Sequence, residues 1–237
     1  MTWSIVARDE PTGRTGIAVA TRFFAVGAIV PHIKTGVGAL ASQAMMNPSY
    51  GPNGLALLEA GASVDEVVER LTAEDGGRDH RQFQVMDRHG HRAAYTGPAC
   101  IQWCGHQVHR TFSVAGTMLT GQSVLDETVY AYQMRSDLPF AGRLIHAMQA
   151  GEAAGGDKRG KQSAALLVHD GEDYPLYDLR VDDHGDPLGE LARLHEVARQ
   201  RWVHYRRTMP SRDKPSGLVD RGDLDALIAQ SIAEGYE

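Results

Sequence analysis

Acidic residues are concentrated in one short segment, DLRVDDHGD, which covers residues 178–186. Clustered carboxylates with a histidine suit a hard cation such as Ca²⁺ or Mg²⁺. Asp178, Arg180 and Asp182 alternate along a predicted strand, so they share one face and can equally pair with one another. A metal at Asp178, Asp182 and Asp183 stays open at this point, and ion pairing is the interpretation we adopt.

A second group of candidate metal ligands consists of Cys100, Cys104, His106 and His109. Their spacing is too compressed for the usual structural zinc site, in which a loop or helix separates two pairs of ligands. On a strand these side chains would also point to different faces. We therefore expect both cysteines to be small buried apolar residues, and we predict no metal and no cofactor.

A glycine-rich, charged loop, GGDKRGKQS, covers residues 155–163 and precedes a small-residue strand. Such a loop can bind an anionic group, whereas most charge runs are simply solvated. The ending Gln-Ser-Ala-Ala favours inward-facing side chains at Gln162 and Ser163. The candidate substrate-binding residues of the loop are Asp157, Arg159, Lys161 and Gln162.

Composition limits the class of protein. The 237 residues include 24 Lys and Arg against 30 Asp and Glu, a formal net charge of −6, whereas a nucleic-acid-binding protein is expected to have a basic face. No apolar run has the length of a membrane span, and charges at residues 8–10 precede any signal-peptide core. We expect a cytoplasmic protein that binds neither nucleic acid nor membrane.

Periodicity predicts the elements that position these groups. Alternating apolar residues from Trp3 onward, a turn at 9–16 and a second apolar run predict a β-hairpin that begins at the N-terminus. The apolar segment from Phe23 to Ile33 is expected to be buried. Further strands are predicted at 36–43, 82–87, 92–95, 108–119, 163–169 and 177–181, and helices at 53–60, 64–71, 124–134, 140–150, 188–205 and 224–234.

Antiparallel hairpins with grouped helices indicate a layered α+β fold rather than a doubly wound parallel sheet. The phosphate-loop patterns GxGxxG and GxxxxGKS are absent from the sequence, which disfavours nucleotide enzymes. We divide the chain into a main domain, residues 1–207, and a linker with a C-terminal helix, residues 208–237.

Four stretches resemble a bacterial and archaeal family known as domain of unknown function 1028, which is grouped with the N-terminal-nucleophile (Ntn) hydrolases. They are TWSIVARDEPTGRTGIAVATRFFAVGA, ASQAMMNPSYGPNGLALLEAG, GGDKRGKQSAALLV and DLRVDDHGDPLGEL. The resemblance implies that the main domain is Ntn-hydrolase-like, with a four-layer αββα fold of two antiparallel sheets between helices. It implies no known reaction.

The resemblance also gives Thr2 a role. Ntn enzymes use the side chain of the first mature residue as nucleophile and its free amine as general base. An α-amino group has a pKa of about 7.7–8.0, and a threonine hydroxyl needs such an adjacent base. Removal of Met1 would make Thr2 that residue. The alternative is a strand-edge threonine whose hydroxyl caps a backbone group.

Other candidate residues are placed around Thr2 by the same resemblance. Arg22 follows the second strand, where a cation would lower the pKa of the amine and hold a substrate carboxylate. Asn47 can donate to an oxyanion, although an Asn-Pro turn can instead bond its own backbone. Ser163 can bond the amine of residue 2, and Gln43 joins the substrate-binding residues.

These residues lead to the hypothesis of an Ntn-type amide hydrolase, active only after removal of Met1, with a small amide, lactam or peptide-like substrate. A non-catalytic Ntn-fold protein that binds a small ligand or partner through the same cleft is the rival hypothesis. A homodimer is expected, because a symmetric dimer is the commonest soluble assembly.

Overall fold

A computed structural model describes residues 2–236, so Met1 and the question of its removal lie outside the described residues. The chain divides into two compact units, residues 1–191 and residues 192–237. The first unit contains all the strands described below and the first four helices. The division predicted at residue 208 stays a prediction.

Ten strands lie within the described residues. In chain order they are β1 (Thr2–Arg8), β2 (Thr15–Thr21), β3 (Pro31–Lys34), β4 (Gly38–Ala44), β5 (Arg81–Asp87), β6 (Arg92–Thr96), β7 (Gly105–Val108), β8 (Phe112–Thr117), β9 (Ser163–His169) and β10 (Tyr177–Val181). They form a six-stranded sheet in the order β10-β9-β2-β1-β8-β7 and a four-stranded sheet in the order β3-β4-β5-β6. Every strand pair is antiparallel.

Seven helices lie within the described residues. They are α1 (Tyr50–Glu59), α2 (Val64–Ala73), α3 (Ser123–Met134), α4 (Phe140–Ala153), α5 (Pro187–Gln200), α6 (Trp202–Arg206) and α7 (Arg221–Ala233). Helices α1 and α2 contact the four-stranded sheet, and α3 and α4 contact the six-stranded sheet. The α+β class and the four-layer αββα order are therefore confirmed.

The two sheets pack through small and branched side chains that alternate along each strand. Val6 and Val19 on the six-stranded sheet share one buried cluster with Ala39, Ala41 and Met86 on the four-stranded sheet. Because strand side chains alternate with a period of two, residues two positions further along these strands face the same interior. This rule places Ser4 and Thr2 between the sheets as well.

Close approach fixes α4 on the outer side of the hairpin. A Cβ atom added to Gly16 would lie 2.7 Å from a methyl group of Leu144 and 2.8 Å from the ring of Phe140. The helix therefore rests directly on the backbone of β2, and a larger residue than glycine would push it away. On the opposite side, α2 begins with a capping box between Ser63 and Glu66, as its sequence favours.

The structure differs from the predicted elements in several places. The predicted helix 188–205 is interrupted at Arg201, where the backbone leaves helical geometry between α5 and α6. The predicted strand 108–119 corresponds to β8 at 112–117, and its first residue, Val108, ends the neighbouring strand β7, which was not predicted. Phe23 and Phe24, expected to be buried, are exposed, because they leave β2 beyond the edge of the core.

In the second unit, α6 and α7 are joined by polar contacts. His204 Nδ1 lies 2.9 Å from Ser231 Oγ, and the Arg207 guanidinium donates to the same oxygen at 2.9 Å. Asp220 caps α7 by accepting a bond from the Asp223 amide. No helix within the described part of the chain is long and apolar enough to cross a membrane.

Three histidines of the first unit predict how stability depends on pH. Burial lowers the pKa of His32, His106 and His109 below the ordinary value of 6.5. Below pH 6.5 the unfolded chain therefore binds more protons than the folded chain, so the free energy of unfolding falls as the pH falls. Chemical denaturation at a series of pH values between 8 and 5 measures this slope.

The variant His32→Asn should flatten that slope, whatever it does to stability at pH 8. The control His89→Asn alters a histidine on an exposed turn and should leave the slope unchanged. A slope that is the same for wild type and His32→Asn would contradict the assignment of the effect to His32.

Candidate functional site

A row of four hydroxyl residues crosses the six-stranded sheet at one end of the sandwich. Thr2 lies opposite Thr117 on β8, and Thr21 lies opposite Ser163 on β9. The Thr2 hydroxyl donates to the Thr21 hydroxyl at 3.1 Å and joins the two pairs. Directly opposed residues of antiparallel strands share a face, so all four side chains face the other sheet. All four are buried.

Within this row, Ser163 supports the chain beyond β2. Its hydroxyl donates to the Phe23 carbonyl at 2.5 Å and accepts a bond from the Val26 amide at 3.2 Å. Both contacts hold the short 3₁₀ helix that follows β2. A bond from Ser163 to the amine of residue 2 stays a prediction.

Buried amides fill the space between the sheets next to Thr2. The Gln43 side-chain amide donates to Gln82 Oε1 at 2.7 Å, to the Ala115 carbonyl at 3.1 Å and to the Thr2 carbonyl at 3.3 Å. Gln43 Oε1 accepts a 2.7 Å bond from Ser4 Oγ. Every polar atom of this side chain is therefore used inside the protein, which leaves none for the predicted contact with substrate.

Gln82 and Gln84 extend this group into what we call the amide network: Ser4, Gln43, Gln82 and Gln84. The Gln82 amide donates to the carbonyls of Gly105 and Gly116, each at 3.0 Å, and the Gln84 amide donates to Ser4 Oγ at 2.8 Å. All four side chains are completely buried. The network ties β4 and β5 of one sheet to β1, β7 and β8 of the other.

Asp157 anchors the charged loop to the end of β2. Its carboxylate accepts bonds from the backbone amides of Arg22 and Arg159, both at 2.8 Å, and pairs with the Arg159 guanidinium at 3.1 Å. The carboxylate is almost completely buried, and amide donors are the partners that stabilise such a charge. This arrangement uses Asp157 and Arg159 to hold the loop beside Thr21.

The remaining polar residues of the loop also have partners within the protein. Lys161 pairs with Glu152 at 2.7 Å, which raises the pKa of the lysine. The Gln162 amide donates to Asp183 at 3.1 Å. Binding of substrate by these residues stays a prediction, and the structure gives each of them a structural contact.

Arg22 differs from its neighbours. Its side chain is exposed, and its guanidinium makes one long hydrogen bond, 3.4 Å from Nη1 to the Arg159 carbonyl. Within the described residues it forms no ion pair with a carboxylate. Its charge is therefore available to a ligand at the end of the sandwich where Thr2 lies.

Asn47 lies in a separate network. Its Oδ1 accepts a bond from the Ser49 amide at 3.0 Å. Asn47 thus bonds the backbone of its own turn, which is the alternative to a role as an oxyanion donor. Its amide faces Asp75 at 3.4 Å, and Arg81 Nε pairs with the same carboxylate at 2.9 Å. The pKa of Asp75 lies well below its usual range, mainly because the Arg81 guanidinium donates a hydrogen bond to the carboxylate.

The Tyr50 hydroxyl donates to the same Asp75 carboxylate at 2.9 Å, and burial is the main cause of its raised pKa. The tyrosine therefore stays protonated and the carboxylate ionised at neutral pH. This network pins the chain between β4 and α1. The role of Asn47 as an oxyanion donor stays a prediction.

The two candidate metal clusters use their side chains in protein contacts. Asp182 pairs with Arg180 at 2.9 Å, which agrees with ion pairing rather than metal binding as the interpretation of this segment. The Cys100 thiol donates to the Arg81 carbonyl at 3.3 Å, and burial raises its pKa to about 11. Within the described residues, no group of three or more potential ligands is placed to hold a metal ion.

Three non-glycine residues with left-handed backbone conformation surround the same end of the sandwich. Ala25 follows β2, Ala44 ends β4 and Met118 follows β8, with φ values of 52°, 71° and 53°. Such a conformation costs an ordinary residue about 1–2 kcal/mol, and proteins keep it most often where function constrains the backbone. The chain therefore bends sharply at the ends of three strands on this side of the sandwich.

Sequence reasoning did not single out Thr21, Thr117, Gln82 and Gln84. The signal for the two glutamines was present, because Gln-x-Gln on a predicted strand puts two amides on one face, and a polar pair in an apolar strand needs partners. The two threonines are ordinary strand residues by type. Their proximity to Thr2 depends on strand order, which the sequence pattern did not supply.

Fold and geometry together define an αββα protein with a threonine hydroxyl at the start of a central strand. The chain belongs to the family of unknown function DUF1028, whose family model matches residues 2–191. It is similar to SPO2555 from Silicibacter pomeroyi, a protein of that family with a crystal structure, at 34% identity and a TM-score of 0.85. That alignment covers 93% of this chain and 96% of SPO2555.

A much weaker similarity links the chain to Anbu (ancestral beta-subunit) from Yersinia bercovieri, at 11% identity and a TM-score of 0.36, over 84% of this chain and 97% of Anbu. A score this low supports no functional comparison. No curated protein matches the sequence.

The amide network generates a prediction about stability. Gln43→Leu would leave Gln82 Oε1, Ser4 Oγ and two backbone carbonyls with lost partners in the interior, and a buried polar group without a partner costs about 1–3 kcal/mol. We expect a loss of about 2–3 kcal/mol in the free energy of unfolding. Urea denaturation with a circular-dichroism readout measures it.

Gln133→Leu is the matched control, because Gln133 is exposed on α3 and such changes usually stay within about 0.5 kcal/mol. Equal stability of Gln43→Leu and Gln133→Leu would show that the network contributes no net stability.

Proposed function

We propose that the protein is an Ntn-type amide hydrolase. Thr2 becomes the N-terminal residue when Met1 is removed, and it is the nucleophile. The observation that carries the proposal is the position of Thr2. It begins the strand between β2 and β8, its hydroxyl lies 3.1 Å from Thr21 Oγ1, and its carbonyl is held by the Gln43 amide. A nucleophile needs such fixed geometry.

The reaction has two steps. The free amine of Thr2 takes the proton of the hydroxyl as Oγ1 attacks the amide carbonyl carbon, and the carbon–nitrogen bond then breaks as the leaving amine receives that proton. Water next adds to the resulting ester, its oxygen leaves in the carboxylic acid, and one of its protons restores the Thr2 hydroxyl. Atoms balance without a cofactor, since water is the only co-reactant.

Neighbouring groups support this chemistry. Thr21 holds the hydroxyl of Thr2 in the interior between the sheets. The buried carboxylate of Asp157 fixes the Arg22 backbone at 2.8 Å, and Arg22 directly follows Thr21, whose hydroxyl bonds Thr2. A cation in this position lowers the pKa of the amine and increases its neutral fraction at pH 7.

A second candidate is a non-catalytic protein of the same fold that binds a ligand at this end. The observation that favours it is the burial of Thr2, whose residue is only 3% exposed. In that case Met1 stays in place and the Thr2–Thr21 bond is structural.

The proposal predicts that Thr2→Ala abolishes amide cleavage, with a loss of about 10³-fold or more in kcat. Thr2→Ser should keep measurable activity, since it retains a hydroxyl beside the amine. The protein is produced as a fusion from which a protease releases a chain that begins with Thr2. Release of amine from a panel of simple amides is followed by fluorescence.

Thr15→Ala is the control, because Thr15 lies at the opposite end of the same hairpin, and its activity should equal that of wild type. Cleavage at the wild-type rate by Thr2→Ala would rule out this nucleophile. A chain that retains Met1 in its native host by intact mass, and cleaves no amide after Thr2 is exposed, would favour the binding protein.

A further inference from the structure

Large apolar side chains are exposed around the end of the sandwich where Thr2 lies. Phe23 is 51% exposed, Phe24 61%, Met45 63% and Ile101 56%. We call these four residues the apolar rim. Apolar side chains normally leave water when the fold allows it, and a concentration of exposed ones marks a binding surface.

Strand order places the rim at one end of the sandwich. Phe23 and Phe24 follow Thr21, and Thr21 touches Thr2. Met45 follows β4 two residues after Gln43, whose amide contacts the Thr2 carbonyl. The carbonyl of Ile101 accepts a 2.9 Å bond from Met118, the residue after Thr117, which lies opposite Thr2. Three different segments thus bring apolar side chains to the same end.

The backbone of the rim is held in place while its side chains face water. Beyond the end of β2, the Phe23 carbonyl accepts a bond from the Ser163 hydroxyl at 2.5 Å, and the Ala25 amide donates to the Asp182 carbonyl at 2.9 Å. The Met45 amide donates to the His80 carbonyl at 3.2 Å, and its carbonyl accepts the Arg81 guanidinium. The fold therefore fixes these exposed positions, as a preformed binding surface requires.

A cation borders the rim. Arg22 directly precedes Phe23, and within the described residues its guanidinium has no carboxylate partner. The other cations of the adjoining loop do have polar partners: Lys158 donates to the Gln102 carbonyl at 2.9 Å, Arg159 pairs with Asp157 and Lys161 pairs with Glu152. This end of the sandwich thus combines an apolar surface with one available positive charge.

We propose that the substrate is an N-acylated amino acid with an apolar acyl group. The acyl chain lies on the apolar rim, and the carboxylate of the amino acid pairs with Arg22. This proposal rests on the proposed amide hydrolysis and names its substrate class. Thr2 Oγ1 takes the acyl group, the amino acid leaves with its nitrogen protonated, and water releases the fatty or aromatic acid.

Acyl chain length provides the first test. N-acylglycines from acetyl to octanoyl are assayed, together with the N-methylamides of the same acids, with the chain that begins at Thr2. Because each buried methylene contributes about 0.8 kcal/mol, kcat/KM should rise about three- to fourfold per methylene. The acylglycine should exceed the matched methylamide, and Arg22→Gln should remove that preference.

Variants of the apolar rim test which residues contact the acyl chain. Phe24→Ser and Met45→Ser should reduce the gain per methylene while the acetyl substrate is little affected. Tyr130→Ser and Met134→Ser are matched controls, since both residues are 60% exposed on α3, and they should keep the full gain. A chain-length dependence that is equal in all four variants would overturn the assignment of the rim.

Binding to Thr2→Ala separates this inference from the proposed function. Calorimetry with N-octanoylglycine should show binding to Thr2→Ala that weakens in Thr2→Ala/Phe24→Ser and in Thr2→Ala/Arg22→Gln. Binding without any turnover by the Thr2 protein would keep the ligand class and overturn hydrolysis. No binding, or turnover of acetyl and octanoyl substrates at equal rates, would overturn the ligand class.

The apolar rim could instead be the interface of a dimer, and the same variants test this alternative. If it joins two copies of the chain, Phe24→Ser should convert a dimer into a monomer in analytical ultracentrifugation and leave N-octanoylglycine binding unchanged. That pair of results would overturn the proposal.

Discussion

Hydrogen bonds between amides in the space between the two sheets constrain the rest of the structure. A sandwich interior is normally apolar, and a polar side chain there must find partners or lose about 1–3 kcal/mol. Gln43 meets this requirement only when the Ala115 and Thr2 carbonyls, Gln82 and Ser4 are all in register. A one-residue register slip of β4 or β5 within its sheet would turn these amides toward the helices, and sliding one sheet over the other would separate them from their partners. The network therefore selects one alignment of the sheets.

That alignment determines what lies at the Thr2 end. Val6, Val19, Ala39 and Met86 fill the middle of the interior with apolar groups, whereas the amides and the row of hydroxyls occupy one end. The polarity of the interior therefore changes along the strands, from dry core to a hydrogen-bonded end. Strand β1 begins within the polar end, which is why its first described residue carries a hydroxyl with a fixed partner.

The sequence predicts the parts of the fold that depend on local periodicity. Strands β9 and β10 have the bounds that alternation and flanking turns indicate, and the helices of the first unit differ from their predicted bounds by a few residues at most. Local patterns fail where tertiary contacts decide. The break at Arg201 carries no proline or glycine, and β7 exists because its four residues find a neighbour in β8.

For the candidate site, sequence chemistry found the residue types but not their partners. Asp157 and Lys161 look like ligands for a substrate because charge is visible in a sequence, whereas the backbone amides and Glu152 that satisfy them are not. Phe23 and Phe24 show the reverse error, since hydrophobicity predicts burial whenever the geometry of the surrounding fold is unknown. An exposed pair of phenylalanines conflicts with the rule that apolar side chains are buried. Such conflicts between local preference and structure occur most often at functional sites. In this chain that conflict lies at the same end as the buried hydroxyl of Thr2, so two independent departures from ordinary packing identify one region of the surface.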